Sequence, residues 1–145
     1  KNTKEILCLD QEKVIGLRLN EGRKVTDLCF NLTEARSCFQ GIESDGELFS
    51  SSQDLDGGTR LAVYNGAIVI RKGKAFLEAS TPLSFAVEEA PHLLRVTLDA
   101  EKKGVVKLFV PEPKKVEGNL LGKDYKDGAL IFFHPAGRSI LEAKL

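Results

Sequence analysis

The stretch RLAVYNGAIVIRKGKAFLEAS, residues 60–80, predicts the fold more strongly than any other part of this chain. Asn65-Gly66 separates two short apolar runs, and this dipeptide is the strongest local signal for a β-hairpin because a type I′ turn needs positive φ at both central residues. A two-residue loop at this point places four apolar side chains on one face of the sheet. These side chains are Leu61, Val63, Ile68 and Ile70.

A second turn is predicted a few residues later, at Lys72-Gly73 or at Gly73-Lys74. The two alternatives differ by an even shift in register, so both leave Ala75 and Leu77 on the same face as the four apolar residues. Turn chemistry and apolar pattern therefore agree on an antiparallel meander.

Short alternating segments recur along the rest of the chain, separated by Gly, Asp and Pro at intervals of roughly 8–12 residues. We therefore predict an all-β fold: an antiparallel β-sandwich of about 10–12 short strands in one domain, residues 1–145, with a β-barrel as the second choice. The predicted strands cover residues 5–9, 13–19, 25–31, 46–51, 59–64, 67–71, 74–79, 83–89, 92–99, 104–110, 128–133 and 139–144.

The composition is that of an ordinary globular domain, with 42% hydrophobic and 29% charged residues in 145. Lys plus Arg and Asp plus Glu number 21 each, so the formal net charge is zero. A balanced charge gives no attraction to nucleic acid or to anionic membranes, and neither partner is predicted. The sequence also contains no apolar run long enough for a transmembrane helix.

A chain that begins at Lys1 and contains no Met is expected to be a mature or excised fragment, and its early apolar run, ILCL, is too short for a signal-peptide core. Cys8, Cys29 and Cys38 have spacings of 21 and 9 residues, which match no zinc pattern. They are interpreted as small buried apolar residues or, alternatively, as including a Cys29–Cys38 disulfide.

Four motifs carry a resemblance to a known family. They are GIESDGELF (41–49), RLAVYNG (60–66), FLEASTP (76–82) and PAGR (135–138). Over residues 41–145 the chain resembles the C-terminal β-sandwich of heparinase II/III-like polysaccharide lyases and related carbohydrate-active enzymes.

The resemblance implies a non-catalytic accessory module of an extracellular or periplasmic enzyme. Its partners would be a polysaccharide or oligosaccharide and the catalytic domain of the parent enzyme. The family's catalytic groups belong to a helical toroid and a preceding sheet that have no counterpart here, and neither His92 nor His134 has a sequence neighbour that suggests a catalytic partner. No catalytic residue is therefore predicted. The alternatives are an independent carbohydrate-binding module and an adhesion or protein-interaction β-sandwich.

Acidic residues cluster between Ser37 and Thr59, where the chain has no Lys or Arg. Two loops in this segment, ESDGE and QDLDGG, offer oxygen ligands of the kind that calcium prefers. No other cofactor is predicted. The alternative is that Asp and Gly simply populate turns, because both tolerate left-handed backbone geometry. The candidate metal ligands are Glu43, Asp45, Asp54 and Asp56.

Two tyrosines are the candidate glycan contacts, because an aromatic ring with a polar edge suits a pyranose face. Tyr125 lies in the polar segment GKDYKDG (122–128) with Lys123 and Lys126, whose ammonium groups can meet uronate or sulfate. This segment is predicted to be a loop. Tyr64 lies on the meander face opposite Leu61, and it forms a platform if that face is open or a core residue if it is not.

Overall fold

The computed structural model describes the backbone of residues 4–145 and the side chains of residues 11–145. Within these limits the chain is all-β, without a helix, and its fourteen strands form one open antiparallel sheet, which confirms the predicted fold class. The strands are β1 (Lys4–Gln11), β2 (Val14–Asn20), β3 (Lys24–Asn31), β4 (Ser37–Phe39), β5 (Ile42–Ser44), β6 (Leu48–Asp54), β7 (Thr59–Arg71), β8 (Lys74–Ala90), β9 (Leu93–Ala100), β10 (Gly104–Phe109), β11 (Lys115–Gly118), β12 (Gly122–Lys126), β13 (Ala129–His134) and β14 (Gly137–Lys144).

The predicted hairpin at Asn65-Gly66 is wrong. Strand β7 continues through this dipeptide, and of its two residues only Asn65 has a positive φ, of 53°. Gly66 instead pairs with Leu83 of β8, and the register shifts on either side of it. The dipeptide therefore forms a bulge inside a long strand, and the predicted turn is replaced by a bend.

The bulge also changes which side chains enter the core. Leu61, Val63 and Leu77 are buried as predicted, whereas Val69 takes the core position expected for its two isoleucine neighbours. Those neighbours, Ile68 and Ile70, are half-buried, and Ala75 is exposed. The predicted face is therefore only partly correct, because β7 pairs with β8 on both sides of Gly66 and does not pair with itself across a turn.

The second turn is confirmed at Lys72-Gly73, where φ is 51° and 75° and Arg71 pairs with Lys74. Positive φ at both central residues is the geometry of a type I′ hairpin turn. Two more turns are of the same kind. In the turn at Gln40-Gly41 the two φ angles are 52° and 79°, and in the turn at Asp127-Gly128 they are 53° and 77°.

The β7–β8 hairpin folds back on itself. Its base pairs Thr59 with Glu89 and its tip pairs Arg71 with Lys74, so in a straight hairpin base and tip would lie roughly 40 Å apart. Nevertheless, the Arg71 guanidinium donates to the Glu89 carboxylate, and the Thr59 hydroxyl donates to the same group at 3.2 Å. Because tip and base touch, the sheet must form two layers.

The fold-back occurs at a corner formed by residues 65–67 of β7 and residues 79–82 of β8. Between the Gly66–Leu83 and Ile68–Glu78 pairs, β7 contributes one residue and β8 contributes four. Pro82, within this insertion, has no N–H to donate to a ladder. The excess length on one strand bends the hairpin sharply at this point.

Each long strand changes its outer partner at the corner. β7 pairs with β6 before the corner and with β5 after it, while β8 pairs with β10 before the corner and with β9 after it. The first layer therefore has the order β1-β2-β3-β6-β7-β8-β9-β14-β11, and the second has the order β4-β5-β7-β8-β10-β13-β12.

The two layers enclose one apolar core, to which both halves of the hairpin contribute. Close packing between them is visible at Gly16 of β2, where an added Cβ would lie 2.5 Å from the Phe39 ring of β4. The largest fully buried apolar side chains are Val69, Leu77, Val87, Leu94, Val96, Val106, Leu108, Leu130, Phe132 and Leu141.

The corner itself depends on two glycines, Gly46 and Gly66. A Cβ on Gly66 would lie 2.9 Å from the Gly46 Cα and 2.7 Å from a Val63 methyl group. We expect Gly66→Ala to destabilise the domain by about 1–3 kcal/mol, as overpacking does. Urea unfolding measures this loss.

Gly122 provides the matched control, because it is also a strand glycine but an added Cβ would make only an ordinary 3.5 Å contact with Phe133. Gly122→Ala should change the free energy of unfolding by less than about 0.5 kcal/mol. Equal effects of the two substitutions would contradict the role assigned to the corner.

Candidate functional site

The segment predicted as a polar loop, residues 122–128, is mostly a strand. Residues Gly122–Lys126 form β12, which pairs with β13 at the edge of the second layer, and the chain turns only at Asp127-Gly128. The loop prediction is therefore wrong, although the chemical groups it singled out lie at an accessible edge of the sheet.

Tyr125 is half-buried, and both its hydroxyl and its backbone N–H are hydrogen-bonded. Its hydroxyl donates to the Val110 carbonyl oxygen at 2.8 Å, and its backbone N–H donates to the Asp124 carboxylate at 2.8 Å. The ring packs against the apolar core at the same time. Since its position is fixed before any ligand arrives, a ligand stacking on its open side would lose little side-chain entropy in the protein.

Tyr125 lines a groove of about 490 Å³ that we call the Tyr125 groove. The wall carries three lysines, of which only Lys123 belongs to the predicted set. Lys126 does not line the groove. The lining residues are Glu112, Pro113, Lys114, Lys115, Val116, Lys123, Asp124, Tyr125 and Leu130.

Hydrogen bonds orient two of these lysines. Lys123 donates from Nζ to the Val116 carbonyl oxygen at 2.6 Å, and Lys115 pairs with Glu117 at 2.8 Å. The hydrogen bond from Lys115 lowers the pKa of the Glu117 carboxyl, and the charges of Lys144 and Lys123 lower it further. The groove wall thus carries the ammonium groups of three lysines together with the carboxylates of Glu112 and Asp124.

Lys114 and Lys115 were missed in the sequence, although the run PKKV precedes the predicted segment by only a few residues. Lys115 is the first residue of β11, and Lys114 immediately precedes it. Strand β11 pairs with β14 in the first layer, whereas β12 pairs with β13 in the second. The lysine pair reaches Tyr125 because the groove lies where the two layers meet.

Tyr64 is 58% exposed and lies in a different place. It lines a separate groove of about 440 Å³, so the two predicted tyrosines do not form a single site. The residues around this second groove are Tyr64, Asn65, Thr81, Pro82, Leu83, Ser84, Asp99, Glu101 and Lys102.

Tyr64 also ends a row of apolar side chains on the outer face of the first layer. Its members are cross-strand neighbours, each paired with the next, and three of them are between 46% and 58% exposed. This apolar row consists of Ile15, Phe30, Leu48 and Tyr64. Tyr64 is therefore part of an open face and not a core residue, which is the condition under which it could serve as a platform.

The four predicted metal ligands do not converge. Asp45 accepts hydrogen bonds from the Ala67 and Ile68 amides at 2.8 and 3.0 Å, and Glu43 pairs with Arg36 at 3.2 Å. In the part of the chain whose side chains are described, no three His, Cys, Asp or Glu groups come together in a way that could hold a metal.

Calcium binding by these four residues therefore stays a prediction, and the arrangement of the described side chains gives it no support. The carboxylate of Asp45 stabilises the corner of the β7–β8 hairpin, while Asp54 and Asp56 lie exposed at the β6–β7 connection. Turn formation, the alternative interpretation of these acids, accounts for Asp54, because its backbone N–H donates to Gly58 and its carbonyl oxygen accepts from Gly57.

The two histidines occupy structural positions, one in a strand and one in a turn. His134 is the last residue of β13 and is fully buried. Its Nδ1 lies 2.9 Å from the Pro135 carbonyl oxygen, and since a carbonyl oxygen can only accept, Nδ1 is the donor. Its Nε2 has no hydrogen-bond partner among the described residues. His92 lies in the turn between β8 and β9 with a φ of 65°. Neither ring is hydrogen-bonded to a carboxylate or thiol among the described side chains.

Cys29 and Cys38 are both free thiols, so the alternative of a disulfide between them is not realised. Cys29 is buried, and burial, together with the nearby Cys38 thiol, raises its pKa to about 11. Cys38 is exposed on β4. The side chain of Cys8 lies outside the described residues.

Comparison with known proteins adds no assignment. A scan against protein-family models and a search of curated proteins both returned no match for this chain. No helix that is long and apolar enough to cross a membrane occurs in the described residues.

Asp45 provides a test of structural against metal-binding roles. Asp45→Ala should lower the free energy of unfolding by about 1–3 kcal/mol, because it leaves two strand amides at the corner without their acceptor. Asp45→Asn should cost less, since its side-chain oxygen can still accept from both amides. Urea unfolding of the variants, with and without added calcium, measures the effect.

Asp56→Ala is the control, as Asp56 is exposed and belongs to the same predicted ligand set. It should leave stability within about 0.5 kcal/mol of the parent. Calcium-dependent stabilisation that disappears in both the Asp45 and Asp56 variants would support calcium binding and contradict the purely structural role of Asp45.

The two free thiols should differ in reactivity. At pH 8, Cys38 should react quickly with a maleimide in the folded protein, whereas Cys29 should react only after unfolding, because it is buried and its raised pKa keeps it protonated. Peptide mapping by mass spectrometry assigns the label to each cysteine. Equal labelling rates in the folded state would show that the β3 position is not protected.

Proposed function

We propose that this chain is a non-catalytic β-sandwich module of a polysaccharide-degrading enzyme that acts outside the cytoplasm, in the extracellular space or the periplasm. The proposal follows its resemblance to the C-terminal β-sandwich of heparinase II/III-like polysaccharide lyases. In this role the module contacts acidic polysaccharide or oligosaccharide at the Tyr125 groove and packs against the catalytic domain of the parent enzyme.

One observation supports the glycan contact above the others. The Tyr125 groove combines an immobilised aromatic ring with the ammonium groups of Lys114, Lys115 and Lys123. A ring of this kind packs against the apolar face of a pyranose, while ammonium groups attract uronate or sulfate as point charges. An aromatic ring and three ammonium groups on one wall support the binding of an acidic sugar, because the lysines outnumber the two carboxylates, Glu112 and Asp124, that also line the groove.

The apolar row favours a second activity, packing against another protein domain. Ile15, Phe30, Leu48 and Tyr64 lie side by side on one face, and contiguous exposed apolar surface of this kind typically marks an interaction site. This supports the accessory role within a larger enzyme. It is equally the feature that an adhesion or protein-interaction sandwich would need.

Titration of oligogalacturonate or heparin-derived oligosaccharides into isotopically labelled domain tests the glycan contact. Amide shifts should cluster in residues 112–130, and binding should weaken as salt is added because exposed charge pairs are screened. The double variant Lys114→Gln/Lys123→Gln should bind roughly fivefold more weakly, since each exposed pair contributes about 0–1 kcal/mol. The same mixtures should show no new reducing ends or unsaturated products.

Lys126→Gln is the matched control, because it removes a charge from the same strand without touching the groove wall. Its affinity should stay within about twofold of the parent. Shifts confined to other surfaces, or an equal loss in the control, would refute binding at this groove, and cleavage of the oligosaccharides would refute the non-catalytic role.

A further inference from the structure

A third groove lies where the tip of the β7–β8 hairpin folds over the first layer, and with a volume of about 740 Å³ it is larger than the two described above. We call it the interlayer groove. Its walls come from both layers, and most of its lining side chains are charged or polar. The lining residues are Arg18, Val25, Asp27, Gln40, Gly41, Ile42, Ser51, Gln53, Thr59, Arg71, Lys72 and Lys74.

Arg18 is held in a fixed orientation on one wall. Its Nε and Nη2 donate to the two carboxylate oxygens of Asp27 at 2.7 and 2.9 Å, and its side chain remains 31% exposed. A guanidinium has five N–H donors, so the bidentate pair leaves donors on Nη1 and Nη2 for a ligand. The carboxylate thus orients the guanidinium without using all of its hydrogen-bonding capacity.

Arg71 is fixed in a comparable way on the opposite layer. It pairs with Glu89, and its guanidinium lies 3.9 Å from the centroid of the Phe76 ring. The side chain is 32% exposed, and its Nε makes no hydrogen bond to another described residue. Two partly exposed guanidinium groups therefore line one groove, each supported by a carboxylate.

Two further cations lie at the tip of the hairpin. Lys72 and Lys74 are exposed, and neither forms an ion pair with a described acidic residue. Together with the two arginines they give four positive groups, against the carboxylates of Asp27 and Glu89. A protein of zero formal net charge therefore concentrates positive charge along this groove.

We propose that the interlayer groove binds an acidic oligosaccharide, with sulfate or uronate groups on the two guanidinium groups and the two lysines. Guanidinium N–H pairs match carboxylate and sulfate oxygens in bidentate geometry. The amides of Gln40 and Gln53 and the Ser51 hydroxyl offer donors and acceptors for sugar hydroxyls. This inference rests on the proposed function, since it gives the same module a second contact with the same class of ligand.

Nucleic acid is the competing polyanion, and the lining disfavours it. No aromatic side chain is among the residues that line this groove, whereas sites for single-stranded nucleic acid use aromatic rings to stack bases. Amide and hydroxyl groups between the cations fit a ligand that carries hydroxyls between its anionic groups. The observations therefore favour a glycan.

The test removes the two unpaired charges and leaves both arginine pairs intact. The double variant Lys72→Asn/Lys74→Gln places Asn at the positive-φ position, which Asn tolerates. Three probes are titrated into labelled protein: a heparin-derived hexasaccharide, an oligogalacturonate hexamer and a short single-stranded DNA. The first two separate sulfate from carboxylate as the recognised group.

We expect amide shifts at Arg18, Gln40 and Gln53 with at least one of the two glycans, and a roughly three- to tenfold loss of affinity in the double variant that shrinks as salt is added. The control Lys102→Gln/Lys103→Gln removes two exposed charges from the β9–β10 connection and should change affinity by less than about twofold.

Three results would overturn the inference: no shifts at this groove, equal losses in the two double variants, or tighter binding of DNA than of either glycan. Shifts confined to the Tyr125 groove would refute this inference alone. Shifts at neither groove would refute the glycan contact of the proposed function as well, so the two failures are distinguishable.

Discussion

The close approach of two backbones at Gly46 and Gly66 is the constraint on which the architecture depends. Side chains at either position would separate the connection between β5 and β6 from the corner of β7. With the glycines in place, Asp45 reaches the Ala67 and Ile68 amides and satisfies donors that the bulge removes from the ladder. One long hairpin can then serve both layers, because its bent region retains its hydrogen bonds.

This bend also determines where charge accumulates. Arg71 and Glu89 lie at opposite ends of the same hairpin, yet they form a part-buried ion pair because tip and base are superimposed. The fold-back brings the lysines of the tip over the first layer and Arg18 beneath them. Basic residues that are dispersed along the chain thus face one groove, although the protein as a whole is electrically balanced.

The sequence patterns predicted those strands and turns that depend only on neighbouring residues. The strand predicted at residues 83–89 and the turn at Lys72-Gly73 were recoverable from the sequence, because pleat period and positive φ are properties of a few adjacent residues. Asn65-Gly66 was misread because a contact from a distant segment, Gly46, overrides its turn preference. Strands β4, β5, β11 and β12 have only three to five residues, too few for a periodic signal. Similarly, Tyr125 and Lys123 were recognisable as neighbours, whereas the interlayer groove combines residues that only the fold brings together.

The position of β14 between β9 and β11 has a consequence for biosynthesis. All strands of the second layer precede β14 in the chain, so they can pair while β9 still has one unpaired edge. As the polypeptide emerges from the ribosome, that edge of β9 exposes free N–H and C=O groups until β14 has been synthesised. Nascent chains of this protein therefore pass through an interval in which the first layer is open to pairing with another molecule, and aggregation during synthesis should begin at β9.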